Sequence, residues 1–311
     1  MTEVSASSGA YGVAPKEFQN ILGTHDDARQ CSPLIPGSAD IAECPDQVLD
    51  VFVVAAPAGV QDRRFVMAHA LRTLNSGGEL RIFAPKKKGG LRLKAELEDL
   101  GCSVRLESAK HNKFAFCTPP SDMSAVQATI EENGPRLDEE LGYWTQPGVF
   151  SWNRPDPGTL LLMENLPELS GRGADLGSGL GLLSHKVLET DTVTQIILAD
   201  LDRRAIEMAF RNVGDERTQF MWTDVASGRE LDEITDLDFV VMNPPFHKDG
   251  EEDRSLGQAF VRRAAKLLRK GGVCWLVANR HLPYESELKA HFSKFEPRAD
   301  SHGFKVIEAI K

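Results

Sequence analysis

The sequence predicts an α/β protein built from two tandem units. Three observations carry this. From residue 48 onward, short β-branched and apolar runs alternate with segments of helical period, the pattern of sheets joined by crossover helices. At 311 residues the chain exceeds one ordinary core and suits two domains. The halves also repeat each other in order. Residues 49–59 (LDVFVVAAPAG) lie over 237–247 (LDFVVMNPPFH), 74–85 (LNSGGELRIFAP) over 268–279 (LRKGGVCWLVAN), and 111–118 (HNKFAFCT) over 302–309 (HGFKVIEA). Convergence of generic α/β units would look similar, but agreement of three segments in order favours duplication.

The elements follow from local pattern. Residues 1–47 read as polar and loop-like, with one helix over 15–22. Strands are expected at 48–56, 78–84, 103–107 and 113–118, and helices at 63–74 and 91–100. The acidic, weakly patterned stretch 119–141, with a short helix at 124–132, holds the boundary between domains 1–135 and 136–311. Residues 142–162 (GYWTQPGVFSWNRPDPGTLLL), rich in Pro, Gly and aromatics, read as a structured loop or hairpin entering a helix at 158–166. The second half then alternates cleanly. Strands fall at 173–176, 195–200, 219–223, 238–242, 273–278 and 304–310, the last antiparallel, and helices at 181–189, 203–213, 256–270 and 285–293.

Composition narrows the function classes. No apolar run approaches a membrane span, and the N-terminus has no basic stretch leading into an apolar one, so a cytoplasmic protein with no membrane partner is expected. Five widely spaced cysteines (Cys31, Cys44, Cys102, Cys117, Cys274) form no CxxC or Cys/His ligand pattern; reduced buried thiols are expected and no metal. The net charge of −10 argues at first against a nucleic-acid partner. The chain is striped, however: net −6 over 1–50, +6 over 51–120, −7 over 121–170, −7 over 171–250 and +4 over 251–311. Lys86, Lys87, Lys88, Arg92, Lys94, Arg105, Lys110 and Lys113 form the basic cluster of the first half, either a solvated face or a contact for RNA phosphates.

Four motifs carry chemistry. Asp175-Leu176-Gly177-Ser178-Gly179-Leu180-Gly181 lies between a strand and a helix, where glycines permit a tight turn and close ligand approach. Any nucleotide-binding α/β turn would fit, a dinucleotide site included. The acidic residue two before the first glycine repels a pyrophosphate but suits the cationic end of S-adenosylmethionine. In ILADLD (197–202), Asp200 ends a strand and can take two ribose hydroxyls or act as a turn residue; Asp202 reads as the N-cap of the next helix. Asp224, after the third strand, can accept an adenine amino group or face solvent as a turn residue.

The fourth motif, Asn243-Pro244-Pro245-Phe246-His247, follows the apolar strand 238–242. Two prolines fix the backbone, so the Asn243 amide and the Pro244 carbonyl present acceptors at the strand end, suited to an exocyclic NH2 on a planar substrate. Phe246 can stack on that plane. An aromatic amine is a poor nucleophile because its lone pair is delocalised. Two acceptors on its hydrogens raise electron density on nitrogen and aim the lone pair at an electrophilic methyl, and the proton leaves afterwards. A proline-rich turn is the bland alternative. His247 reads as a turn residue or as one at the mouth of the site.

The order DLGSGLG, ILADLD, TD, NPPFH resembles class I S-adenosylmethionine (SAM)-dependent methyltransferases acting on planar amines. NPPF with PGVFS (147–151) upstream resembles the bacterial ribosomal RNA guanine-N2 methyltransferases, the RsmC/RlmG-like family, over residues 48–311. That resemblance implies two tandem Rossmann-like methyltransferase domains, the first degenerate and RNA-binding, the second a seven-stranded sheet that alone binds SAM. In the first half the place of Asn243 falls on Ala55 or Ala56, and only Pro57 survives of the proline pair. It further implies that Asp175, Gly177, Ser178, Gly179 and Gly181 shape the methionine pocket, with Ser178 where relatives often carry Cys. Asp200 would take the ribose, Asp224 the adenine, and Asn243, Pro244, Pro245 and Phe246 the guanine, with Phe150 closing over cofactor or base. VANRHLPY (277–284) looks nearer the large-subunit (23S) members than the small-subunit (16S) ones. The implied partner is ribosomal RNA or a ribosomal subunit. Adenine-N6 and protein glutamine-N5 methyltransferases share the NPP[YF] feature and remain the enzyme alternatives; a non-catalytic RNA-binding assembly protein is the alternative of another class. A nicotinamide-dependent dehydrogenase is remote, because GxGxxG is absent and NPPF would go unexplained.

Overall fold

The computed structural model describes residues 7–23, 27–248, 251–252 and 254–311. The chain divides into two compact units, one of residues 1–135 with 146–148, the other of 136–145 with 149–311.

Unit 1 contains β1 (Ser8–Tyr11), α1 (Gln19–Leu22), β2 (Arg29–Gln30), β3 (Leu49–Ala55), α2 (Val60–Thr73), β4 (Leu74–Pro85), α3 (Leu93–Asp99), β5 (Arg105–Ala109), β6 (Asn112–Cys117) and α4 (Ser124–Asn133). Its sheet runs β2-β1-β3-β4-β6-β5. Unit 2 begins with the hairpin β7 (Arg136–Asp138) and β8 (Tyr143–Thr145), then α5 (Pro157–Asn165), β9 (Gly171–Leu176), α6 (Leu182–Val187), β10 (Val193–Asp200), α7 (Arg203–Val213), β11 (Thr218–Trp222) and β12 (Leu237–Met242). After the short pair β13 (His247–Lys248) and β14 (Glu251–Glu252) come α8 (Arg254–Leu267), β15 (Leu268–Asn279), α9 (Glu285–His291), β16 (Lys294–Ser301) and β17 (Phe304–Ile310). Its seven-stranded sheet runs β11-β10-β9-β12-β15-β17-β16, parallel except where β17 meets β15 and β16.

Both sheets are buried on both faces, which is why their strands read as continuous apolar runs. Successive residues of β3 feed opposite cores: Phe52 and Val54 one, Val53 the other. In unit 2, Val240 and Met242 pack on one side while Phe239 and Val241 pack on the other. Each such buried aliphatic or aromatic side chain contributes about 1.5–3 kcal/mol. Among the described residues no helix is long and apolar enough to cross a membrane.

Three sequence expectations need correction. Residues 8–11 and 29–30, read as loop, are strands, and β1 sits inside the unit 1 sheet, parallel to β2 and β3. The seventh strand of unit 2, β16, has no sequence pattern that marks it; it is an edge strand of charged residues with Pro297 inside it, and its register shifts between Pro297 and Ala299. The expected helix over 15–22 is a short 3-10 turn, Lys16–Phe18, running into α1.

The internal repeat is present in the topology. Setting β1, β2, β3, β4, β5 and β6 against β9, β10, β12, β15, β16 and β17 gives the same strand order, with only β11 lacking a counterpart. The register agrees residue by residue. Asp50 accepts hydrogen bonds from Ser7 N and Asn75 Nδ2; its counterpart Asp238 accepts from Arg172 N and Arg269 Nε. Gly12 and Gly177, which end the matched first strands, both take left-handed φ, +77° and +75°. This register places Ala55, rather than Ala56, opposite Asn243. Ala10 stands at the position of Asp175 and Ser32 at that of Asp200.

At the corresponding strand ends of unit 1, side chains bond the loop backbone. Gln30 Oε1 accepts from Gly12 N at 3.0 Å, and Gln30 Nε2 donates to Gly12 O at 3.0 Å, occupying the turn where a ligand would meet the backbone. Arg63 is fully buried, paired with Glu96 at 2.6 Å, and donates to the carbonyls of Pro57 and Ala58 at 2.9 Å. It ties down the loop corresponding to the proline motif.

Candidate active site

The four chemistry-bearing motifs converge at the carboxyl ends of adjacent parallel strands. Across the sheet in the order β11, β10, β9, β12 stand Asp224, Asp200, Asp175 and Asn243. The chain direction through the sheet reverses between β9 and β12, and such switch points open a crevice for ligands.

The turn after β9 is built by three left-handed glycines, Gly177 at +75°, Gly179 at +53° and Gly181 at +84°. No side chain adopts these angles without strain. The backbone N–H groups of Gly177 and Ser178 donate to Ala199 O at 2.8 and 3.2 Å, pinning the turn to β10. A Cβ at Gly179 would meet nothing within 4 Å, so the turn faces open space there.

Asp175 is completely buried and accepts from Ser184 Oγ at 2.8 Å through Oδ2. Among the described residues its Oδ1 has no hydrogen-bond partner, and neither does the buried Ser178 Oγ. Burial pushes the Asp175 carboxyl up to about 7, the Ser184 bond opposes this, and the neighbouring Asp200 charge adds to it. Asp200 ends β10 half-buried and accepts from Gly179 N at 2.8 Å and Asp202 N at 2.9 Å. Desolvation raises it to about 6 despite those bonds. It joins the glycine turn to the second strand. Asp202 caps α7, accepting from Arg204 N at 3.0 Å, as expected.

Asp224 is half-buried beside Thr223, and its carboxylate accepts from Ala226 N at 2.9 Å and from Ser227 Oγ. It therefore shapes the turn at the end of β11, while lone pairs remain for a further donor. Phe150 is 59% exposed at the rim of a cleft that also involves Asp156, Thr159, Ser178, Leu183 and Asn243. Pro244 is buried, Pro245 half-buried, and Phe246 half-buried against the core on one side of the sheet. The side chain of His247 lies outside the described residues.

Asn243 is held from a direction that the sequence did not announce. Its Nδ2 donates to Asp156 Oδ2 at 2.9 Å and to Thr159 Oγ1 at 2.8 Å. Asp156 caps α5, accepting from Thr159 N at 2.8 Å, with Pro157 at the first helical position. The pair Asp156-Pro157 is a recognisable helix start in sequence. That start marks the helix; its approach to Asn243, 87 residues away, is a tertiary fact. Ser184 is the other residue missed, carried on α6 to the buried face of Asp175.

The residues fit a bound SAM. An unpartnered buried carboxylate oxygen suits a cationic amine, the glycine turn leaves backbone exposed, and Asp200 ends the next strand where ribose hydroxyls would lie. With this strand order and these motifs, unit 2 is a class I SAM-dependent methyltransferase domain. The methyltransferase small domain family model matches residues 140–308, and the chain belongs to that family.

The chain is similar to the ribosomal RNA small subunit methyltransferase C of Acinetobacter baumannii (strain AYE), 29% identical over 99% of this chain and 89% of the relative. It is 31% identical to the protein of that name from Hahella chejuensis, over 67% of this chain and 62% of the relative. Among solved structures it resembles the T. thermophilus 16S rRNA N2 methyltransferase (RsmC) in complex with AdoMet and guanosine. That match has a TM-score of 0.77 at 24% identity and covers 100% of this chain and 90% of the other. The two-unit fold is thus the fold of that enzyme. The leaning toward 23S members drawn from VANRHLPY is corrected: these relatives are named for the small subunit. That segment spans the end of β15 and the loop into α9, where exposed residues such as Arg280 and His281 do not report the target.

Proposed function

We propose that this protein transfers a methyl group from SAM to the exocyclic N2 of a guanine in 16S ribosomal RNA, acting in the cytoplasm where that RNA is made. The observation carrying this reading is the Asn243 amide. Its nitrogen is consumed by Asp156 and Thr159, so Oδ1 is its remaining polar atom, at the end of β12 beside the glycine turn. The relatives' names and the guanosine of the solved neighbour support the same substrate.

Each residue has a defined part. SAM supplies an electrophilic methyl on a sulfonium. Asp175 and the turn Gly177–Gly181 would hold its amino-acid end, Asp200 the ribose and Asp224 the adenine. Asn243 Oδ1 and the Pro244 carbonyl accept the two N2 hydrogens of the guanine, while Phe246 and Phe150 pack on its plane. This raises electron density on N2 and directs its lone pair at the methyl. Bound SAM would supply the methyl carbon, its carbon–sulfur bond breaking as the nitrogen–carbon bond forms, and the N2 proton would then leave to solvent. The guanine must leave its stack to enter the cleft. Analysis of methylated nucleosides in 16S rRNA incubated with enzyme and labelled SAM tests this. Label in N2-methylguanosine is the expected result; label only in adenine or in protein would overturn it in favour of the alternative methyltransferases.

Unit 1 would grip the RNA, since Ala10 and Ala55 stand where Asp175 and Asn243 carry the chemistry in unit 2. Of the basic cluster, Lys94, Arg105 and Lys110 are engaged with Glu98, Glu107 and Glu17. Lys86, Lys87 and Arg92 are exposed and make no ion pair among the described residues. Reversing Lys86, Lys87 and Lys88 to Glu should weaken RNA binding and reduce the salt slope by about 0.7 for each RNA phosphate no longer neutralised. Unchanged affinity and slope in filter-binding titrations would remove unit 1's basic face from the RNA interface.

A further inference from the structure

The geometry points to Asp156 as a positioning residue for methyl transfer, acting through Asn243 and resting on the function proposed above. An asparagine amide has two ends of opposite hydrogen-bonding sense. Only the oxygen end can accept a substrate N–H; a flipped amide would set donor against donor. Asp156 removes that ambiguity. Its Oδ2 lies 2.9 Å from Asn243 Nδ2, and a flip would face the carboxylate with a carbonyl oxygen. Thr159 Oγ1, at 2.8 Å, takes the second amide hydrogen, and the Thr159 hydroxyl is itself 3.4 Å from Asp156 Oδ2.

The anchor is rigid because it does two things at once. Asp156 Oδ2 also accepts from Thr159 N at 2.8 Å, so the carboxylate is the N-cap of α5 and cannot rotate away without uncapping the helix. Gly158 is required beside it: a Cβ there would lie 2.8 Å from the Phe304 ring and 2.9 Å from Asp156 Oδ2. A charged acceptor on the amide nitrogen also polarises the amide, making Oδ1 a stronger acceptor for the substrate hydrogen. Asp156 thus sets both the orientation and the acceptor strength of Asn243.

Cap-competent substitutions separate this role from helix capping. Asp156→Asn and Asp156→Ser retain an N-cap side chain and should keep the melting temperature. Both remove the carboxylate. The expected result is a kcat on 16S rRNA lowered about 10–100-fold, with KM for RNA and SAM affinity changed less than twofold. The double variant Asp156→Asn/Asn243→Ala, assayed in single turnover, should be no slower than Asn243→Ala alone. Wild-type kcat in the Asn and Ser variants, a fall in SAM affinity matching the fall in rate, or a further tenfold loss in the double variant would each overturn the assignment. Wild-type enzyme and Asn243→Ala are measured alongside. If the wild type methylates no guanine, the functional reading fails and takes this one with it; if Asn243→Ala is inactive while Asp156→Asn is fully active, only the role of Asp156 falls.

Discussion

Asn243→Ala should lose methyl transfer by about 10²–10³-fold, the scale on which removal of one preorganised polar group from a transition state is felt, while SAM affinity stays within twofold. The split follows from position. Asn243 stands after β12, whereas the groups assigned to the cofactor stand on β9 and β10, just after β11 and in the turn Gly177–Gly181. Truncation removes the acceptor proposed to raise density on the substrate nitrogen. It also leaves Asp156 and Thr159 without the amide they hold. Isothermal titration with SAM and single-turnover transfer to 16S rRNA measure the two quantities separately. Full turnover by the variant would sink the mechanism, and loss of SAM binding would relocate Asn243 to the cofactor.

Asp175→Asn should stabilise the ligand-free protein at pH 8 and abolish cofactor binding. The carboxyl of Asp175 is raised to about 7 by burial, against about 4 in the unfolded chain. The folded protein then binds more protons than the unfolded one between those values, so this group's contribution is fully present below pH ~4 and is lost as pH rises through 7. Above pH 7 the buried charge costs on the order of 4 kcal/mol, at about 1.4 kcal/mol per pKa unit. The Asn side chain can still accept from Ser184 and carries no charge. Its ligand-free melting temperature should therefore exceed wild type at pH 8 and match it near pH 4. A cationic amine beside Oδ1 favours the ionised form, so wild-type SAM binding should release protons at or below pH 7 and weaken as pH falls, with Asp200, raised to about 6, adding to the decline. Calorimetry in buffers of different ionisation enthalpy reads the proton release. Wild-type affinity in Asp175→Asn would remove the carboxylate from the cofactor site.

Most of the catalytic unit was legible locally. The glycine turn, the capping Asp202, the apolar strand ahead of Asn243 and the proline motif each combine a residue type with a backbone requirement inside a few positions. The strands that escaped notice had no such mark. β1 is SGAY and β2 is two residues long; β1 is a strand because β3 offers it an edge some forty residues later, and β2 because β1 then offers its own free edge. β16 lies at the edge, where charge and proline are tolerated, so alternation of burial does not reveal it.

By itself, the amino-acid sequence determined that this chain holds two related α/β units, that the second carries a complete set of methyl-transfer motifs, and that the first lacks them. Each is a property of short windows, where apolar period, glycine and proline constrain the backbone directly. Tertiary structure decided how the strand-end loops of the first unit are tied down, by Gln30 and the buried Arg63, and how Asn243 is held, by Asp156 and Thr159. These hydrogen bonds join residues from 5 to 87 positions apart. The longer ones exist because sheet pairing brings distant strand ends and helix starts together, and a buried polar group there must take whatever partner the fold delivers.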